Sequence, residues 1–223
     1  MTVLQLGPAG PTEVTPTGLA AGSRAGELAK RVVDIAGSVI GLLLLLPLLV
    51  VIGLAVIADG SGSPLYRQTR VGRGGRPFRI VKFRSMQCDA DTRTDVLEAD
   101  HDADGPLFKL AADPRVTRVG RVLRRYSLDE LPQLWNVLRG DMSLVGPRPA
   151  LQTEVDGYCP RALRRLEVLP GMTGPWQVGG RCTLSWQAGL DLDLHYVDHR
   201  NLRYDTLLLV QTVRAVVRPV GAY

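Results

Sequence analysis

Cysteine is scarce in this 223-residue chain, and Cys88, Cys159 and Cys182 stand far apart without a CxxC pair. An odd, scattered set excludes a disulfide framework and a structural zinc site, and it predicts a reducing, cytoplasmic setting. Phosphate-binding fingerprints are missing as well: GSGSP and VGRGGRP have neither P-loop nor dinucleotide spacing. DHDADG opens like a calcium loop at Asp100, but Ala111 occupies the twelfth position, where a bidentate Glu belongs. HYVDH, from His195 to His199, has Tyr196 where a zinc protease needs its Glu. No internal repeat is visible, and the length suits one domain, alone or with an anchor.

Charge is absent from Ile35 to Ala58. Such a run meets the length criterion for a membrane helix, yet Pro47 sits in its middle, deleting one backbone donor and crowding the carbonyl four residues earlier. Arg24, Lys30 and Arg31 precede the run, while Arg67, Arg70, Arg73, Arg76 and Arg79 follow it. By the positive-inside rule both ends face the cytoplasm. A straight helix of this length, about 36 Å, could cross a bilayer, whereas a break near Pro47 gives two arms of about 18 Å that dip in and return. A proline-kinked single span is the competing reading. Residues 1–26, rich in Gly, Pro, Thr and Ala, are expected to be a flexible leader, too polar for a signal peptide.

What remains is basic. The net charge of +5, with 27 Lys and Arg, suits an anionic partner. SPLYRQTRVG and RPFRIVKF read as a hairpin turning at Arg73, Gly74 and Gly75, its arginines facing phosphates or headgroups. Residues 89–104 are acidic and polar, Arg161 to Val168 looks helical, PGMTGPWQVGGR is expected to be a loop, and Leu190 to about Val217 is mostly helical.

Arg124, Arg125, Ser127, Asp129 and Glu130 crowd around a helix start. S-L-D-E is a capping box in form, with Ser127 as N-cap and Glu130 reaching back. It is equally a carboxylate pair beside guanidiniums, with Asp141 and Arg148 soon after, a combination suited to phosphoryl chemistry with a metal. Pro147 and Pro149 stiffen the backbone around Arg148. Trp176, among glycines, reads either as a plate for a nucleobase or sugar or as an interfacial anchor.

Several segments in order, KRVVDIAGSVIGLLLLLPLL, SPLYRQTRVGRGGRPFRIVKFRSM, SLDELPQL followed by GDMSLVGPRP, LPGMTGPWQVGGR and DLDLHYV, resemble the bacterial sugar transferase family. These are monotopic polyprenyl-phosphate phosphoglycosyl transferases, which initiate exopolysaccharide and other surface glycans. The resemblance is to the small form, without the membrane helices and domain that precede this region in large forms. It implies a mostly α fold with a small β-hairpin, attached to the membrane by a re-entrant helix-break-helix. Residues 27–60 would form that helix, broken near Pro47, and residues 61–223 a cytoplasmic catalytic domain with interfacial helices on the inner membrane.

It further implies that Asp129 is the nucleophile and that Glu130 binds Mg²⁺ with it. Arg124, Arg148, Lys82 and Arg84 would contact substrate phosphate. The implied reaction is ping-pong: Asp129 takes a sugar phosphate from a nucleoside diphosphate sugar, expected to be a UDP-hexose, expels UMP, and passes the group to polyprenyl (undecaprenyl) phosphate. A carboxylate near two arginines and a metal is expected to stay ionised. Membrane lipids are expected partners, nucleic acid is not, and a homodimer is left open. Two departures stand out. Leu46 replaces the usual serine before the helix-breaking proline, and Arg200 and Arg203 stand where tryptophans are common, which implies headgroup contact. The rival from another class is a membrane-tethered basic binding protein. The enzymatic rival is single-step transfer with Glu130 as base.

Overall fold

The computed structural model describes residues 24–60, 62–87, 113–180 and 184–217. The leader up to residue 23, the acidic stretch 89–104, the calcium-like DHDADG, Cys88, Arg181 and Cys182 lie outside them. The first helix, α1, covers Arg24–Asp59. It begins three residues earlier than expected and continues through Pro47, so the expected interruption is not a gap between two helices. Proline removes one intrahelical hydrogen bond, and the remaining turns hold the element together.

Burial along α1 follows a single stripe. Glu27, Arg31, Asp34, Ser38, Gly41, Leu45, Leu49, Ile52, Val56 and Asp59, three or four residues apart, are all buried or half-buried. The hairpin, strands β1 (Leu65–Val71) and β2 (Pro77–Phe83), pairs antiparallel around Arg73–Gly75, as expected. Near it lie α2 (Arg118–Arg125), a 3-10 turn at Leu128–Glu130, and α3 (Gln133–Arg139). Strand β3 (Ser143–Val145) pairs in parallel with β4 (Gly171–Thr173), so a second small sheet joins the hairpin in the mostly helical fold. Between them are α4 (Gln152–Asp156) and α5 (Pro160–Leu163), and after them come α6 (Pro175–Gly179), α7 (Trp186–His199) and α8 (Leu202–Val217).

The stripe on α1 docks at both of its ends. Near the start, Glu27 accepts from Arg200, Arg31 donates to the Val137 and Leu138 carbonyls, and Lys30 pairs with Asp205 at 2.6 Å. Near the end, Ile52 and Val56 join Phe83 and Leu123 in an apolar cluster, and Asp59 accepts from Val119 N–H. Each fully buried aliphatic side chain there contributes about 1.5–3 kcal/mol. Between those contacts Leu43, Leu44, Leu46 and Leu48 stay exposed, with Leu44 at 75%. Arg200, expected at lipid headgroups, is instead spent on Glu27 and the Val197 carbonyl.

Asp34 is almost completely buried and accepts from Ser143 Oγ and Leu144 N–H, both at 3.0 Å. Replacing it with alanine strands both donors in the interior. Asp34→Ala is expected to lose about 1–3 kcal/mol of stability, read as a lower unfolding temperature in detergent micelles.

Candidate active site

Alternation along the hairpin sorts its side chains. Tyr66, Gln68 and Arg70 on β1 lie opposite Lys82, Ile80 and Phe78 on β2, so these six share one face. Lys82 Nζ donates to Glu130 Oε1 at 2.6 Å, which turns this face toward the carboxylates. The other face carries Arg67, Arg79, Val81 and Phe83, which with Leu49, Gly53 and Trp135 line an apolar groove of about 680 Å³ against α1.

Asp129 and Glu130 ride on the 3-10 turn, and the capping box expected there does not form. Ser127 has a left-handed backbone, φ 54°, and its side chain makes no cap bond, while Glu130 reaches to Lys82 instead. Among the described residues Ser127 is the only non-glycine with positive φ. Such a conformation persists only where its surroundings hold it, and it recurs at functional sites.

Asp129 is 9% exposed, the more buried of the two acids. Burial pushes its carboxyl above the usual range; Lys82 opposes the shift, Glu130 adds to it, and Arg124 opposes it again. With the protein's own groups alone, desolvation therefore outweighs the cations, contrary to the expectation of a comfortably ionised acid.

Arg124 donates from Nε to Ser85 Oγ at 3.0 Å. Helix α2 can come this close because Gly120 has no side chain: a Cβ there would sit 2.0 Å from the Ser85 carbonyl oxygen. Arg84 lines a polar cleft with Arg118, Arg121 and Asp59. Asp141 is held by Asn136 and Arg139, away from the acids.

Four successive carbonyls fix the loop that carries Arg148. Pro147 O accepts from Gly171 N–H, Arg148 O from Arg165, Pro149 O from Arg70, and Ala150 O from Val71 N–H. Arg148 Nη1 donates to the buried Glu154 at 3.1 Å. The stiffness expected of Pro-Arg-Pro is therefore reinforced from outside. Trp176 is neither a plate nor an anchor, because it is 5% exposed, meets Trp186 edge-on, and covers Gly189. The expected loop around it is β4 followed by α6. Two residues in this framework, Arg165 and Glu154, carry no expectation from the sequence, and Arg70 figured there only as one of the hairpin's arginines.

Two adjacent acids, one buried and one paired to a lysine, with Lys82 and Arg124 acting on Asp129 and a long apolar helix packed behind them, suit anionic phosphate chemistry. This chain belongs to the bacterial sugar transferase family, whose sequence profile matches residues 25–219. It is 45% identical over 201 residues to the UDP-galactose-lipid carrier transferase of Erwinia amylovora, covering 87% of this chain and 41% of that protein. It is 41% identical over 207 residues to the undecaprenyl-phosphate galactose phosphotransferase of Salmonella typhimurium, covering 90% of this chain and 43% of that one. With the exopolysaccharide production protein ExoY of Sinorhizobium fredii it shares 40% identity over 206 residues, 89% of each chain. The chain thus spans less than half the length of the first two relatives and most of the third.

Proposed function

We propose that the protein transfers a sugar 1-phosphate from a UDP-sugar to polyprenyl phosphate, giving a polyprenyl diphosphosugar and UMP. The observation that carries this reading is the Asp129–Glu130 pair, set beside Lys82 and Arg124 in a chain of the sugar transferase family. The names of the Erwinia and Salmonella relatives support the donor and acceptor classes. The ExoY relative supports exopolysaccharide synthesis as the setting.

The reaction runs in two displacements. An Asp129 oxygen attacks the β-phosphorus; the bond to the UMP oxygen breaks, UMP leaves, and an aspartyl phosphosugar remains. An oxygen of polyprenyl phosphate then attacks the same phosphorus and releases the Asp129 carboxylate. Arg124 and Arg148 neutralise phosphate charge, and Lys82 keeps Glu130 oriented. Asp129 and Glu130 would hold Mg²⁺, an ion commonly bound by one or two carboxylates with substrate phosphates and water. When bound, it offsets repulsion between Asp129 and the diphosphate.

Helix α1 attaches the protein to one leaflet. Both of its ends pack on the same domain, which supports a one-sided placement in which the exposed Leu43–Leu48 segment dips deepest. With basic residues on both flanks, that side is the cytoplasmic face of the inner membrane.

The test is UMP release by purified protein across a panel of UDP-sugars, with and without polyprenyl phosphate. EDTA is expected to abolish release and added Mg²⁺ to restore it. Release unaffected by EDTA would remove the metal from the scheme, and no release from any UDP-sugar would remove the reaction.

A further inference from the structure

Arg70 lies on the hairpin face that Lys82 turns toward Glu130. Its Nη1 donates to Pro149 O at 3.2 Å and its Nη2 to Gln68 Oε1 at 2.6 Å. Nε is buried and has no hydrogen-bond partner among the described residues. A guanidinium placed for structure alone is normally matched by a carboxylate, because a buried cation with unmatched donors is costly. Among the described residues Arg70 has no ion pair of its own, and a second cation stands beside it. Burial, and then Arg148, push its guanidinium down to about 10.

The nearby carboxylates do not cancel this pair. Glu154 is already engaged by Arg148 Nη1 and by Leu151 N–H. Glu130 is engaged by Lys82. Three cations, Arg70, Lys82 and Arg148, therefore face two acids. Two neighbouring guanidiniums, Arg148 on a loop fixed carbonyl by carbonyl and Arg70 tied to that loop through the Pro149 carbonyl, match the oxygens of a phosphate.

We propose that Arg70 is a substrate-binding residue, forming with Arg148 a two-guanidinium clamp for phosphate oxygens on the hairpin face that meets the Asp129–Glu130 pair. The proposal rests on the reading of function above. The phosphate is either the diphosphate of the nucleotide sugar or the monoester of the lipid acceptor. Both present the same oxygens to the clamp.

The experiment measures steady-state kinetics of Arg70→Gln and Arg70→Lys with each substrate varied, after thermal unfolding has verified that each variant is folded. Losing charge-assisted hydrogen bonds to phosphate predicts a KM raised about tenfold or more in Arg70→Gln. Arg70→Lys, which keeps the charge without the fork, is expected to lie between. A rise confined to the UDP-sugar assigns the donor diphosphate, and one confined to polyprenyl phosphate assigns the acceptor. A fall in kcat with both KM values unchanged would overturn the proposal, because Arg70 would then only brace Pro149. Failure of the functional reading is distinguishable by calorimetric titration with inorganic pyrophosphate. If wild type releases no UMP, the clamp still predicts salt-sensitive binding that Arg70→Gln weakens about tenfold, and equal binding by both proteins rejects it.

Discussion

Replacing Asp129 with asparagine is expected to lower sugar-phosphate transfer by a factor on the order of 10⁴ or more, the scale on which removal of a covalent nucleophile acts. Asparagine keeps the size and the polar reach of the side chain but cannot form the acyl phosphate. Stability should move the other way. Burial raises the folded-state pKa of this acid, so its ionised form is disfavoured in the native protein at neutral pH. The neutral amide escapes that penalty, and the variant should unfold at a temperature equal to or above that of wild type. UMP release and a thermal melt on one preparation check both halves. A variant that still turns over at wild-type rates would sink the nucleophile assignment, and one that merely unfolds would point to a structural role.

The second large effect belongs to Arg165. It is 3% exposed, donates from Nε to Asp193 Oδ2 at 2.9 Å, hydrogen-bonds Tyr158 OH, and lies within 5.7 Å of the ring centroids of Tyr158, Trp176 and Trp186. Asp193 is completely buried, and its Oδ1 has no partner among the described residues. Arg165→Met keeps most of the stem but leaves that carboxylate uncompensated, which is expected to cost about 3–5 kcal/mol. Burial already raises the Asp193 carboxyl, with Arg165 the chief opposing influence. Without Arg165 the folded-state pKa rises further, so the loss should shrink as pH falls and the acid takes up a proton. Unfolding in detergent at pH 7.5 and at pH 5 measures this. An equal loss at both values would mean that missing ring contacts, not stranded charge, set the effect. Because Arg165 also donates to Arg148 O, the folded fraction should bind substrate phosphate less well.

Local patterns in the sequence carried some elements and failed for others. The hairpin was legible because alternating residues flank a Gly-Gly turn, and α7 and α8 because their apolar positions recur at helical spacing. Strands β3 and β4 were not, since each is three residues long and its partner lies far along the chain. Trp176 looked available among glycines, but the residue that seats it is Gly189, thirteen positions later on another helix. S-L-D-E has the letters of a capping box, and only the left-handed backbone at Ser127 reveals that the turn aims Glu130 at Lys82 instead. Arg70 was open to detection. It shares strand parity with Tyr66, the residue opposite Lys82, so the face was readable; the register against Pro149 was not.

Its length and exposed apolar surface make helix α1 look like a removable tail on an otherwise self-sufficient enzyme. Its stripe contradicts that picture. Leu134 fills the space beside Gly41, Leu144 the space beside Gly37, and Phe83 closes on Ile52 and Val56. Removing residues 1–60 would open the interior at each of these points instead of liberating a soluble catalytic half. There is no seam between helix and enzyme, and the exposed apolar surface of α1 is the outer side of the same core that seats Asp129.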